Sequence, residues 1–146
     1  MRSGTENLAS IVGMAHALEI STRTIDQDIQ YLNSLRINLA DKLKKIFPTL
    51  ELMTNLDNSL CTVLSVVFPR EFSNDMLLFQ LDMKGVACSG GSACSSGANK
   101  ESHVLACLNA PKDRKVVRFS FSKYNNIDEI NFCVDKIKEL ASETSA

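Results

Sequence analysis

The sequence predicts an α+β fold. Three observations lead there. Residues 8–20 and 25–46 carry apolar side chains at steps of three and four, so helices open the chain. Leu60–Phe68 and Val116–Ser122 are β-branched and apolar runs of strand length. The order of elements (α, α, β, β, α, β, loop, α, β, α) shows no regular βαβ repeat, no internal repeat and no low-complexity tract.

The elements follow from local pattern. Ser3 or Thr5 can cap the first helix, with Glu6 in its first turn, and Leu8, Ile11, Val12, Ala15 and Leu18 form its stripe. Ser21-Thr22 is a place for a bend or interruption. A second stripe runs Ile25, Ile29, Leu32, Leu35, Leu39, Leu43, Ile46 and stops near Phe47-Pro48. Asp26, Asp28, Asn33, Arg36, Asp41 and Lys44 are expected on its outer face, and His16 at the surface. Leu50–Met53 is a short strand, Thr54–Asn58 a turn, and Leu60–Phe68 a buried strand ended by Pro69. Ser73-Asn74 is read as the cap of a helix that runs through Met83 and ends at Gly85. Val86–Cys88 reads as a short strand and Ser102–Leu108 as a short helix. In Val116–Ser122, alternation sends Val117, Phe119 and Phe121 to one face and Arg118, Ser120 and Ser122 to the other. Asn125-Asn126 is a turn, and Asp128-Glu129 opens the last helix, which frays from Ser142.

Composition narrows the function classes. The chain has 146 residues, of which 45% are apolar, enough for one domain with its own core. Sixteen basic and 17 acidic residues leave a formal charge of −1. No basic field is available for nucleic acid or anionic lipid. No apolar run reaches the length of a membrane span. Met1–Asn7 lacks the form of a secretory signal, and this opening reads as the middle of a longer protein. The five cysteines are an odd number. Cys61, Cys107 and Cys133 lie in apolar segments and are expected as small core residues. Free thiols point to a reducing, cytoplasmic setting.

Chemistry concentrates in Gly85–Gly97. This run holds four glycines, six serines and alanines, and two thiols, Cys88 and Cys94. Such a stretch is a poor helix or strand interior and a good loop. It is either a small-residue surface loop with incidental thiols or a mobile arm whose thiol visits two partners. A nucleophilic Cys94 needs a cation, a base or a helix N-terminus nearby, and Lys100, His103 and Arg118 are candidates. A metal site is a weak reading, because C-x5-C is not a usual zinc spacing and a fourth ligand is not evident. Arg118, mid-strand, is either paired with an acid or a bidentate clamp for a substrate carboxylate.

Four segments together resemble a known family. Gly91-Ser92-Ala93-Cys94-Ser95-Ser96-Gly97, Ser102-His103-Val104-Leu105, Val117–Tyr124 and Asp128-Glu129-Ile130 look like the C-terminal part of a cysteine desulfurase of the nitrogen-fixation and iron–sulfur-assembly type, within the class V aminotransferases. Arg2–Asn7 followed by Ile11-Val12-Gly13 is similar to another motif of that family, just after its large domain. The resemblance covers nearly the whole chain. It implies the small domain of fold-type-I enzymes, a short, mostly antiparallel sheet with packed helices, with residues 86–101 as the mobile cysteine loop. It implies pyridoxal phosphate as cofactor, L-cysteine as substrate, conversion to L-alanine, a persulfide on the enzyme, a scaffold protein as sulfur acceptor and a homodimeric parent.

By the same resemblance, Cys94 matches the nucleophile and Arg118 the carboxylate clamp. Thr5 matches a threonine that reaches the cofactor phosphate across the dimer. Asn7 and His103 match positions near the site. Cys88 stands where many relatives have a non-thiol, and it either relays sulfur or fills space, the second being the favoured reading. Ser102 departs from the proline common before His103. The family's cofactor lysine, ring-stacking histidine and ring-nitrogen aspartate belong to its large domain, and none of those motifs occurs here. The chain alone is therefore expected to be inactive. Two other readings stand beside this one: a non-catalytic thiol-bearing adaptor that receives sulfur, and an enzyme of the selenocysteine lyase type.

Overall fold

A computed structural model describes residues 4–73, 75–90 and 103–144. Its elements are α1 (Leu8–Ile46), β1 (Glu51–Leu52), β2 (Val63–Val67), α2 (Leu77–Met83), α3 (His103–Cys107), β3 (Val116–Ser120) and α4 (Ile127–Thr144). The three strands form one antiparallel sheet in the order β1-β2-β3. The α+β expectation holds. No helix among the described residues is long and apolar enough to cross a membrane.

The two opening helices are one helix of 39 residues. Ser21 and Thr22 do not interrupt it, because their hydroxyls donate to carbonyls of the preceding turn, Ala17 at 2.9 Å and Leu18 at 3.0 Å. The helix has two unlike halves. Leu32, Leu35, Leu39, Ala40 and Leu43 are buried in the core, whereas every residue from Leu8 to Arg23 is exposed. The first stripe, with Leu8, Val12 and Leu18, is thus an apolar face in solvent. His16 is exposed as expected, near Glu19.

The core is one cluster. The stripe of α1 and Ile130, Cys133, Val134, Ile137 and Leu140 of α4 meet the sheet face that carries Leu64, Val66, Val117 and Phe119. The pairs Leu64–Phe119 and Val66–Val117 lie directly across β2 and β3, so that face is apolar throughout. Phe121 joins it, as the alternation required. Phe47, Phe68 and Phe72 pack with ring centroids 4.9–5.4 Å apart where α1 and β2 end.

Arg36 overturns its expected place on the outer face of α1. It is 1% exposed. Its Nη1 donates to Ser59 Oγ and the Leu60 carbonyl, both at 2.8 Å, and its Nη2 to Asn33 Oδ1 and the Leu56 carbonyl, both at 2.7 Å. The loop between β1 and β2 is wrapped around this guanidinium. Asn55 closes its first turn by accepting from the backbone of Asp57 and Asn58.

Ends and turns are set by side chains. Asn126 caps α4, accepting from Asp128 N at 2.9 Å and Glu129 N at 3.0 Å. Glu129 returns the bond by accepting from Asn126 N at 3.1 Å, which completes a capping box. The Asn125 side chain and then the Asn126 N–H, both donating to the Glu129 carboxylate, hold it below its ordinary range. Gly85 ends α2 as expected. It has φ +81°, and Val86 N and Gly85 N donate to Leu81 O and Asp82 O, the bonds of a Schellman cap. Ser73 does not cap α2, whose first-turn flank is Met76 with no side-chain cap. Its hydroxyl instead accepts from Lys115 N and ties the approach to β3. Asn74 lies outside the described residues.

Two substitutions test this arrangement. Gly85→Ala, which forces a Cβ into the left-handed region, is expected to lower unfolding free energy by about 1–2 kcal/mol in urea titrations. Arg36→Ala removes four donor contacts at a buried position and is expected to cost at least about 3 kcal/mol in the same measurement.

Candidate functional site

The sheet has a second face, and its polar side chains fall in one row. Ser65 of β2 lies directly across from Arg118 of β3. On the far side of β3, Ser89 forms an isolated antiparallel bridge with Arg118. Ser89 N donates to Arg118 O at 3.1 Å, and Arg118 N donates to Ser89 O at 2.7 Å. Both backbone groups of Arg118 therefore point toward Ser89. The Ser65 backbone points the other way, with N donating to Thr54 Oγ1 at 2.7 Å and O accepting from Met53 N at 2.9 Å. Directly paired residues of antiparallel strands share a face, so Ser65, Arg118 and Ser89 stand side by side across the sheet. The expected strand Val86–Cys88 is replaced by this single bridge.

Arg118 stands apart from the other arginines. Among the described residues, Arg23, Arg70 and Arg114 have acidic partners, and Arg36 has its four oxygen acceptors. Among the described residues Arg118 has no ion pair, and its Nε, like that of Arg36, is shielded from solvent without a hydrogen-bond partner there. The Ser89 hydroxyl is in the same condition. Of the two sequence readings of Arg118, pairing with an acid does not occur among the described residues. A guanidinium left without an acceptor can take a carboxylate bidentately.

Cys94, Lys100 and Ser102 lie outside the described residues, as does the 91–101 part of the predicted cysteine loop. The described part, 86–90, anchors it. Val86 is buried, Cys88 packs against the core, Ser89 bridges to Arg118, and Gly90 passes close to Leu78. A Cβ on Gly90 would fall 2.9 Å from Leu78 Cδ1, so the chain leaves the sheet where only a small residue fits without displacing that side chain. Covalent reach alone keeps Cys94, five residues on, within roughly 18 Å of Ser89.

The remaining site residues are apart from this row. Thr5 is exposed, and Asn7 caps α1, with Oδ1 accepting from Ser10 N at 3.2 Å. Both sit at the exposed end of α1, roughly 37 Å along its axis from the first core residue, Leu32. His103 begins α3, and its side chain is exposed. The structure does not bring Thr5 or Asn7 to Arg118 within one chain.

The other thiols divide by burial. Cys133 is buried, Cys61 packs against the core, and Cys88 is half-buried. Cys107 corrects the expectation of a core residue: it is exposed, because no residue of the five-residue α3 is buried. Burial, aided by Asp82, pushes the Cys88 thiol up to about 11, and burial, with Cys88 nearby, pushes Cys133 up to about 12. Neither is a thiolate at neutral pH, which suits a space-filling Cys88.

The described residues do not fit pyridoxal phosphate by themselves. A Schiff-base lysine needs a lowered pKa. Glu143 and Glu139 instead hold the Lys84 ammonium above its ordinary range, while Lys115, Lys123, Lys136 and Lys138 lie in surface ion pairs. No group of three or more His, Cys, Asp or Glu side chains among the described residues is placed to hold a metal ion.

Comparison with known proteins adds the context. The model of the Aminotransferase class-V family matches residues 1–132. The chain is 31% identical over 141 residues to the cysteine desulfurase IscS of Dictyoglomus turgidum and 30% identical over 144 residues to the cysteine desulfurase NifS of Azotobacter vinelandii. These alignments cover 95% and 97% of the chain but only 36% of each relative. A solved structure of a NifS-like protein superposes with a TM-score of 0.78 at 28% identity, over 97% of this chain and 36% of that one. The chain thus spans about a third of the length of the relatives it matches.

The thiol environments make a direct prediction. At pH 8, iodoacetamide is expected to label Cys107 well before Cys88 and Cys133, read by peptide mass mapping. Labelling of Cys88 should accelerate as pH rises toward about 11.

Proposed function

The chain belongs to the class-V aminotransferase family, and on that premise we propose that it is the C-terminal small domain of a pyridoxal-phosphate-dependent cysteine desulfurase. The observation that carries the reading is Arg118: a guanidinium presented mid-sheet, without an acid among the described residues, bonded through its backbone to the residue five positions before Cys94. A carboxylate clamp and a sulfur nucleophile on one short tether suit an amino acid that carries both groups.

In this reading Arg118 fixes the carboxylate of L-cysteine. The Cys94 thiolate attacks the substrate Sγ, an S–S bond forms, and the Cβ–Sγ bond breaks. The electron pair of the broken bond stays with the carbon skeleton, which is protonated to L-alanine, while the enzyme keeps a persulfide. Pyridoxal phosphate, held by the part of the parent outside this chain, supplies the electron sink. The glycines and serines around Cys94 let the persulfide travel to a sulfur-accepting scaffold protein.

Thr5, at the exposed end of α1, reaches the cofactor phosphate of the second subunit in a homodimer, and Asn7 and His103 lie near the site. The solvent-facing stripe Leu8, Ile11, Val12 and Leu18 is then the surface on which the rest of the parent packs. The free thiols Cys61, Cys88, Cys107 and Cys133 suit a reducing, cytoplasmic setting.

Full-length protein supplied with L-cysteine, pyridoxal phosphate and excess dithiothreitol, which reduces the persulfide to sulfide and the free thiol, is expected to release sulfide and alanine in equal amounts. Cys94→Ser should reduce both to background. Arg118→Lys, which loses the bidentate fork, should raise KM for L-cysteine about tenfold to hundredfold. Unchanged turnover in Cys94→Ser would remove the nucleophile assignment.

A further inference from the structure

The bridge between Ser89 and Arg118 places a second donor beside the guanidinium. The two residues exchange both backbone hydrogen bonds, at 2.7 and 3.1 Å. In that geometry their side chains project from the same face, with Cβ atoms roughly 5 Å apart. Ser89 Oγ and Arg118 Nε are each shielded from solvent, and neither has a hydrogen-bond partner among the described residues. Adjacent shielded polar groups without partners are costly to a fold, and the two do not satisfy each other. An Nε–H can only donate, and a hydroxyl can also donate. What the pair lacks is an acceptor, and an acceptor with two oxygens meets both.

We propose that Ser89 is a substrate-binding residue: its hydroxyl donates to one oxygen of the amino-acid carboxylate whose other oxygen is held by Arg118. The inference rests on the reading of Arg118 as the carboxylate clamp. It assigns the bridge a purpose beyond anchoring the cysteine loop. The same contact that starts the loop also carries half of the carboxylate site, so the loop's root and the substrate are held by one pair of residues. Ser65, across the strand on the other side, completes the polar row but has no shielded, unpartnered hydroxyl and is not assigned to the substrate.

The test uses the full-length enzyme and three probes: L-cysteine as substrate, mercaptopropionate as an inhibitor with a carboxylate, and cysteamine as one without. Ser89→Ala is expected to raise KM for L-cysteine about tenfold, the loss of one hydrogen bond to a charged group. It should weaken mercaptopropionate by the same factor, leave cysteamine unchanged and leave the melting temperature equal or higher, since no bond within the protein is lost. Three results would overturn the proposal: an unchanged KM in Ser89→Ala, an equal loss for cysteamine, or a clear fall in melting temperature, which marks the hydroxyl as structural. Arg118→Lys separates the two levels. If it raises KM while Ser89→Ala does not, the clamp stands and the serine assignment falls. If neither variant moves KM, the clamp reading fails with it.

Discussion

A buried guanidinium without a carboxylate partner holds this domain together. Arginine stays charged at any accessible pH, so burying Arg36 is tolerable only because four oxygen acceptors meet its Nη atoms at 2.7–2.8 Å. Two of those acceptors are backbone carbonyls and one is the hydroxyl of Ser59, all in the loop between β1 and β2. The loop is therefore shaped by a residue of α1, and it delivers β2 to the sheet in one register. β2 in turn positions β3, and Arg118 of β3 fixes Ser89 and the root of the cysteine loop. The path from helix to loop to sheet to Arg118 and Ser89 is a series of hydrogen bonds.

The two faces of the sheet do different work from the same alternation. One face carries Leu64, Val66, Val117 and Phe119 into the core with α1 and α4. The other carries Ser65, Arg118 and Ser89 in a row. A one-residue slip between β2 and β3 would bring the arginine into the core and the valines into the row. The register is held by the apolar face, so the chemistry on the polar face inherits its geometry from packing it does not take part in.

Much of this was legible in the sequence. The helical stripe of Leu32, Leu35, Leu39 and Leu43, the alternation in Val116–Ser122 and the Gly85 helix stop are local signals, and each stands in the structure. Three features were not legible, for a physical reason in each case. Arg36 occupies a polar position in the helical pattern, and only the loop that folds over it 20 to 24 residues later makes it interior. Ser73 has the chemistry of a cap, but a long-range bond to Lys115 N claims its hydroxyl first. Ser89 sits in a run of small residues with no feature to distinguish it, and its bridge to Arg118 appears only when β3 is laid alongside. The Arg118 and Cys94 readings came from motif resemblance. Periodicity alone leaves Arg118 between an acid-paired arginine and a carboxylate clamp, and no acid among the described residues meets it.

α1 is one helix by hydrogen bonding but two objects by energetics. From Leu32 onward its side chains belong to the core, and opening that half requires breaking the domain. From Leu8 to Arg23 only intrahelical bonds and weak surface pairs hold it, since helices this short are marginal in water without tertiary packing. A backbone amide in the first turns therefore exchanges with solvent at the cost of local fraying, while one near Leu39 exchanges only at the cost of global unfolding. Covering the solvent-facing half with a packed surface would merge these two regimes into one cooperative unit. The protection of the first four turns is thus a direct physical measure of whether that surface has been joined.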